Sequence, residues 1–294
     1  MNAVGPVSTR AEDGWLLSGE VLAPSSGRGV VLLLHAMMVN RKTMDRPRGA
    51  GLATMLGRMG LGVVVFDLRG HGESGPSARD GARFTYDDYV LFDLPALISW
   101  ARAAFPGERL TVVGHSLGGH AALASAGVFP ESAADKIVSL AGNMWRPSWE
   151  PHAGRRLAKA ALLRSWLLVT ERWGYFDPKP LRFGTEAVAL PYVRQFWEIW
   201  SKDHYGSLCG RYDYQEALGR VRLPLLSVAS EGDPMLANPE AVGRFVAGVG
   251  STKKVIRVVR HAESGGQAPS HMGLVTRASS SPVWEEIGRW VIGA

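Results

Sequence analysis

The 294-residue chain is long for one average domain and ordinary for a large α/β enzyme. Its 46% apolar and 20% charged residues provide for a deep core and leave too little charge for extensive disorder. The net charge of +6 is dispersed, and the densest basic cluster (Arg155, Arg156 and Lys159) is interleaved with Ala and Leu as on one face of a helix, so no nucleic-acid groove is expected.

Cys209 is the single cysteine, which excludes an intramolecular disulfide and argues against a thiolate metal site. Met1 to Trp15 has no basic stretch followed by an apolar run, so no secretory signal is expected. The best membrane candidate, Ala160 to Thr170, is short and carries Arg164, against the roughly 20 apolar residues a span requires. These features point to a soluble, cytoplasmic protein.

Taken in chain order, a β-hairpin is expected over Val7 to Leu22, turning near Asp13-Gly14. Val30 to Leu34 is a continuous apolar run, as in a strand buried on both faces of a sheet. A helix follows at Ala50 to Met59 and a second buried strand at Leu61 to Phe66. Next come a helix at Tyr86 to Ala104, a strand at Leu110 to Val113, a helix at Leu117 to Val128 and a strand at Ile137 to Leu140. After a long interval the alternation resumes with strands Leu225 to Ala229 and Val255 to Val259, and helices Pro239 to Val246 and Val283 to Val291. Strands alternating with helices predict an α/β fold with a doubly wound, mostly parallel sheet. The loop Glu263 to Ser270 is read as the most flexible segment.

The interval from Asn143 to Leu218 breaks the rhythm. It has no strand-like run bounded by turns and is crowded with Trp and Tyr. We read 143–218 as a helical, aromatic-rich cap inserted into a core formed by 1–142 and 219–294.

The most informative stretch is Gly114-His115-Ser116-Leu117-Gly118-Gly119-His120, between an apolar strand and an Ala-rich helix. The spacing has a steric reason. A serine at a sharp strand-to-helix turn is pushed into the open, and only small residues at Gly114 and Gly118 let that turn close. Gly119 lets the helix pack against the sheet, and the helix N-terminus favours negative charge developing nearby.

With these residues the chain resembles the α/β-hydrolase superfamily, and is most similar to predicted hydrolases of the serine esterase/lipase type. Leu33-Leu34-His35-Ala36-Met37 looks like the family's strand followed by His-Gly, with Ala36 replacing the usual glycine. Asp67-Leu68-Arg69-Gly70-His71-Gly72-Glu73-Ser74 is similar to its D-x-R-G-x-G-x-S loop, and His271-Met272-Gly273 to its histidine loop. The resemblance implies Ser116 as nucleophile, an oxyanion hole from the backbone N–H groups of Met37 and Leu117, and an acid and a histidine following in that order. The acid belongs to the exit loop of Leu225 to Ala229, where Asp233 is preferred and Glu231 is the alternative. The histidine follows Val255 to Val259, where His271 is preferred over His261.

The aromatic insertion implies an apolar cavity over Ser116, and His35, Trp145, Trp197 and Trp200 are the pocket candidates, Trp197 and Trp200 sharing a helix face with Val193. The expected activity is hydrolysis of a small-molecule carboxylic ester or thioester with an apolar part, with no cofactor and no metal. Two alternatives use the same residues: an acyltransferase or biosynthetic thioesterase, and a non-catalytic ligand-binding member of the fold. Dehalogenase and epoxide hydrolase chemistry would need an aspartate where Ser116 stands.

Overall fold

In the computed structural model, which describes residues 4–293, the apolar runs become the strands of one sheet. The chain opens with β1 (Gly5–Arg10) and β2 (Leu16–Ala23), paired antiparallel as the expected hairpin. Then come β3 (Val30–Leu34), β4 (Gly62–Phe66), β5 (Leu110–His115) and β6 (Lys136–Leu140). A short antiparallel pair, β7 (Tyr175–Phe176) and β8 (Val188–Ala189), stands apart, and β9 (Leu225–Ser230) and β10 (Lys254–Val259) complete the set. The eight-stranded sheet has the order β1-β2-β4-β3-β5-β6-β9-β10 and is parallel from β4 onward. Every residue of β3, β4, β5, β6 and β9 is buried, which explains why β3 and β4 read as unbroken apolar runs.

The strand order decides where a ligand can sit. From β3 the chain moves to β4 on one side, then returns to place β5 on the other. The loops leaving the carboxyl ends of β3 and β5 therefore diverge and leave a crevice between them. The register sets Leu34 opposite Gly114, so the loop starting at His35 and the turn at Ser116 emerge side by side.

The flanking helices are α1 (Leu52–Arg58), α2 (Tyr86–Asp88), α3 (Leu94–Ala104), α4 (Leu117–Val128), α5 (Ala153–Trp173), α6 (Leu190–Lys202), α7 (Tyr214–Arg220), α8 (Pro239–Ala247), α9 (Gly273–Thr276) and α10 (Ser281–Ile292). The helix expected over Tyr86 to Ala104 is divided into α2 and α3 by a π turn at Tyr89–Asp93. Within that turn, buried Asp93 accepts hydrogen bonds from the Arg69 backbone N–H (3.0 Å) and from Arg69 Nε (2.7 Å). No helix among the described residues is long and apolar enough to cross a membrane.

Between β6 and β9 the chain is mainly helical, with α5, α6 and α7. The pair β7–β8 corrects the expectation of no strand here: each partner is two residues long, too short to show a period. The segment is tied to the sheet-bearing part by buried hydrogen bonds. Asp87 accepts from the Tyr214 hydroxyl (2.7 Å) and the Leu208 N–H (2.9 Å), and the Tyr86 N–H donates to Gln195 (2.9 Å). The basic face read into α5 is also corrected in part. Arg156 is exposed, but Lys159 is 1% exposed and pairs with buried Glu150 at 2.7 Å. Arg155 Nε (2.9 Å), Asn238 Nδ2 (3.1 Å) and the His152 backbone N–H (3.3 Å) also donate to Glu150, so the lysine turns inward to meet a carboxylate already held by three donors.

Candidate functional site

Ser116 joins β5 to α4 with φ 50° and ψ −110°, outside the wells that a residue with a Cβ ordinarily occupies. Such strain persists only where the surroundings over-determine it, and here they do. The Ser116 N–H donates to the Leu140 carbonyl (2.8 Å), and the Ser116 carbonyl accepts from the N–H groups of Gly119 (3.0 Å) and His120 (3.1 Å). A Cβ on Gly114 would lie 2.3 Å from the Gly118 carbonyl carbon, and one on Gly118 would lie 2.7 Å from Leu34 Cβ. The glycine spacing is therefore a matter of backbone meeting backbone. Between Leu110 and Gly127, Ser116 is the one residue that is not buried.

The loop after β9 carries Asp233, which is 3% exposed. Its Oδ1 accepts the Leu236 N–H at 3.0 Å, and its Oδ2 accepts the His271 Nδ1–H at 2.5 Å. Burial works to raise the Asp233 pKa, but the hydrogen bond and charge interaction with His271 outweigh it and hold the carboxyl below its ordinary range. An imidazole whose one proton is on Nδ1 keeps a lone pair on Nε2. His115 Nε2 lies 3.1 Å from the His271 carbonyl, with its ring 4.8 Å from the His271 ring, and burial pushes its pKa far down, so it holds that loop as a neutral donor.

Ser116 and His271 line one cavity of about 240 Å³. Met37 and Leu117 line it as well, and their backbone N–H groups donate to no other described residue. The Met37 loop is fixed from below by His35, whose Nδ1–H donates to the Ala36 carbonyl (2.7 Å) and whose Nε2 accepts the Leu68 N–H (3.0 Å). Leu68 belongs to the loop Asp67 to Ser74, itself braced by Ser74 Oγ on the Asp67 carbonyl (2.6 Å) and by Arg69 paired with Asp13 and Asp93, each at 2.6 Å. Ala36 at the glycine position is buried without disturbing this arrangement.

The alternatives Glu231 and His261 lie elsewhere. Glu231 accepts the His261 backbone N–H at 2.8 Å, and both border a separate surface depression that Ser116 does not reach. Of the pocket candidates, Trp145 lines the Ser116 cavity and His35, Trp197 and Trp200 do not. His35 is sealed beneath the loop it organises, Trp200 is packed in the core, and Trp197 is covered by the Arg164 guanidinium, 5.6 Å from its ring centre. The aromatic wall is instead Trp145, Trp166, Phe183, Tyr192 and Phe196, with Asn143 and His120 among its polar members. Tyr192 and Phe196 stand one helical turn apart on α6, and that i, i+4 spacing was the available signal. Among the described residues no three His, Cys, Asp or Glu side chains gather as a metal ion would require.

Residues 29–163 match the family model described as alpha/beta hydrolase fold. Solved structures agree over almost the whole chain. The Pyrococcus furiosus esterase Pf2001 superposes with a TM-score of 0.63 at 18% identity, covering 98% of this chain and 89% of that one. The chain is an α/β-hydrolase-fold protein. The Paleococcus ferrophilus monoacylglycerol lipase is similar to this α/β-hydrolase-fold chain with a TM-score of 0.62 at 16% identity, covering 95% and 98% of the two chains. DcsB, solved with a substrate analogue, gives 0.65 at 16%, covering 98% and 99%.

Proposed function

We propose that this chain is a serine hydrolase of carboxylic esters or thioesters. Ser116 is the nucleophile, His271 its general base, Asp233 the acid that orients the histidine, and the Met37 and Leu117 N–H groups the oxyanion hole. The observation that carries this reading is that a strained, unburied Ser116 shares a cavity with an imidazole whose Nδ1 is held by a buried carboxylate at 2.5 Å. The solved relatives named as an esterase and a monoacylglycerol lipase agree with it.

In this mechanism His271 Nε2 takes the Ser116 proton as the hydroxyl oxygen attacks the acyl carbon. The tetrahedral oxyanion is held by two backbone N–H groups, each contributing about 3 kcal/mol to the transition state. His271 returns the proton to the departing alcohol or thiol, then activates the water that releases the acid. The Ser116 hydroxyl makes no hydrogen bond to a described residue, and catalytic contacts of this kind often tighten only when substrate is bound. Segment 143–218 acts as a cap that excludes water and supplies the aromatic wall.

The test is Ser116→Ala assayed on p-nitrophenyl butanoate. The expected loss is about 10⁴-fold or more in kcat, with an unchanged circular dichroism spectrum. A fluorophosphonate probe should label wild type at Ser116 and leave the variant unlabelled. Undiminished turnover in the variant would overturn the assignment.

A further inference from the structure

Besides Ser116, His271 and the exposed Arg182, three polar side chains line the Ser116 cavity, and each has a polar atom with no partner among the described residues. Asn143 follows β6, is 7% exposed, and its carboxamide forms no hydrogen bond with any described residue. His120 lies one turn into α4 from Ser116 and is 3% exposed. Its Nδ1 is 3.0 Å from the Tyr86 hydroxyl, which in turn lies 2.5 Å from the Tyr205 hydroxyl. Tyr192, on the same wall, has a buried hydroxyl with no partner.

The relay occupies one ring nitrogen of His120. It ties Nδ1 to the two tyrosine hydroxyls, and the Tyr205 hydroxyl also lies 3.4 Å from the His120 carbonyl. Nε2 has no partner among the described residues. Burial pushes the His120 pKa down to about 3, so the ring stays neutral in use. Nε2 is an uncharged hydrogen-bonding nitrogen beside a carboxamide that both donates and accepts.

Buried polar groups in folded proteins are almost always paired. We infer that the part of the ester held in this cavity carries its own oxygen function, a hydroxyl, oxo or amide group, which bonds to the Asn143 carboxamide, with a hydroxyl or amide also bonding to His120 Nε2. The inference rests on the hydrolase reading and names its substrate class. An unbranched hydrocarbon chain would strip these groups of water and give them nothing in return. A site built around such groups discriminates against the analogue that lacks the oxygen far more strongly than an apolar pocket discriminates a methylene. The volume, about 240 Å³, is below the roughly 300–1,000 Å³ of sites for drug-sized ligands, so the group is short.

Two matched sets test this with wild-type protein: p-nitrophenyl butanoate and pentanoate against their hydroxy and oxo derivatives, and butyl butanoate against butanediol monobutanoate. At least one oxygenated ester should exceed its plain partner by about tenfold or more in kcat/KM. In Asn143→Leu that ratio should collapse to within about threefold, with Asn143→Ala as the second variant should the leucine not fold. Hydrolysis of plain and oxygenated esters at equal kcat/KM overturns this inference and leaves the hydrolase reading standing. A preference that survives both substitutions overturns the role of Asn143. No turnover of any ester, together with no fluorophosphonate labelling of Ser116, removes the hydrolase reading and this inference with it.

Discussion

Asp233→Asn keeps the size of the side chain and removes its charge, and the structure dictates what the amide does. The Leu236 N–H donates to Oδ1 at 3.0 Å, so the amide oxygen retains that position. The NH₂ group then occupies the place of Oδ2, 2.5 Å from His271 Nδ1 in the native protein. Two donors cannot face each other, so His271 must give up its Nδ1 proton and carry it on Nε2. That tautomer cannot accept the Ser116 proton. In a serine protease triad the equivalent change costs about 10⁴-fold in kcat, or about 5.5 kcal/mol of transition-state stabilisation. The assay is p-nitrophenolate release from p-nitrophenyl butanoate by wild type and variant, with fluorophosphonate labelling of Ser116 as a second readout, expected to slow in parallel. The variant should also lose stability selectively. Because the folded Asp233 pKa is depressed, its contribution is present above the unfolded value, near 3.8, and fades as pH falls through the folded value. Asp233→Asn should therefore be less stable than wild type at neutral pH, with the gap closing in acid. A variant that retained kcat within about tenfold would refute the orienting role of Asp233.

Gly118→Ala places a methyl 2.7 Å from Leu34 Cβ and 2.8 Å from the Leu34 carbonyl oxygen. It should cost about 1–3 kcal/mol in urea unfolding, since neither β3 nor α4 can retreat; a stability within about 0.5 kcal/mol of wild type would contradict the close approach. Lys159→Met leaves Glu150 buried with Arg155, Asn238 and the His152 backbone N–H as its remaining partners. Urea denaturation should report a loss of about 3 kcal/mol, the low end for breaking a buried pair, and Glu150→Gln added to it should recover part of that loss. His71 is 1% exposed and its pKa is pushed down to about 3, first by burial and then by His35. The unfolded chain binds a proton there below about pH 6.5 that the native ring refuses, so wild-type stability falls with acid. Relative to wild type, His71→Gln should gain about 2 kcal/mol between pH 7.5 and pH 5, from about 1.4 kcal/mol per pH unit; a pH-independent gap would show that the ring titrates normally.

Much of the sheet was legible because its signal is local. Val30–Leu34 and Gly62–Phe66 read as strands since every side chain on them meets a helix or a neighbouring strand, so no polar residue is admitted. The strand-to-helix turn was legible for a related reason: Gly114 and Gly118 are demanded by backbone contacts within a few residues of Ser116. What escaped depends on partners distant in sequence. Lys159 carries no mark that separates it from exposed Arg156. Its burial is decided by Glu150 and by Asn238, the latter at the start of α8. The π turn at Tyr89–Asp93 likewise answers to Arg69, a residue of the loop after β4.

The pocket shows the limit most clearly. On α6 the residues Tyr192, Val193, Phe196, Ile199 and Trp200 are all buried, so the apolar stripe is wide. A wide stripe fixes that a helix packs inward but not which edge of the stripe meets which neighbour. One residue along an α-helix is a rotation of about 100°, and that is the interval between Phe196, which lines the cavity, and Trp197, which does not. The helix face shared with Val193 points to Trp197 and Trp200. The cavity instead takes the edge that faces α4, where Phe196 approaches the His120 ring at 6.4 Å between centroids. The same contact sets His120 beside the aromatic wall, one turn beyond Ser116. The strain that exposes Ser116 therefore starts the helix that carries His120, and in the proposed mechanism reactivity and substrate selection are built on a single element.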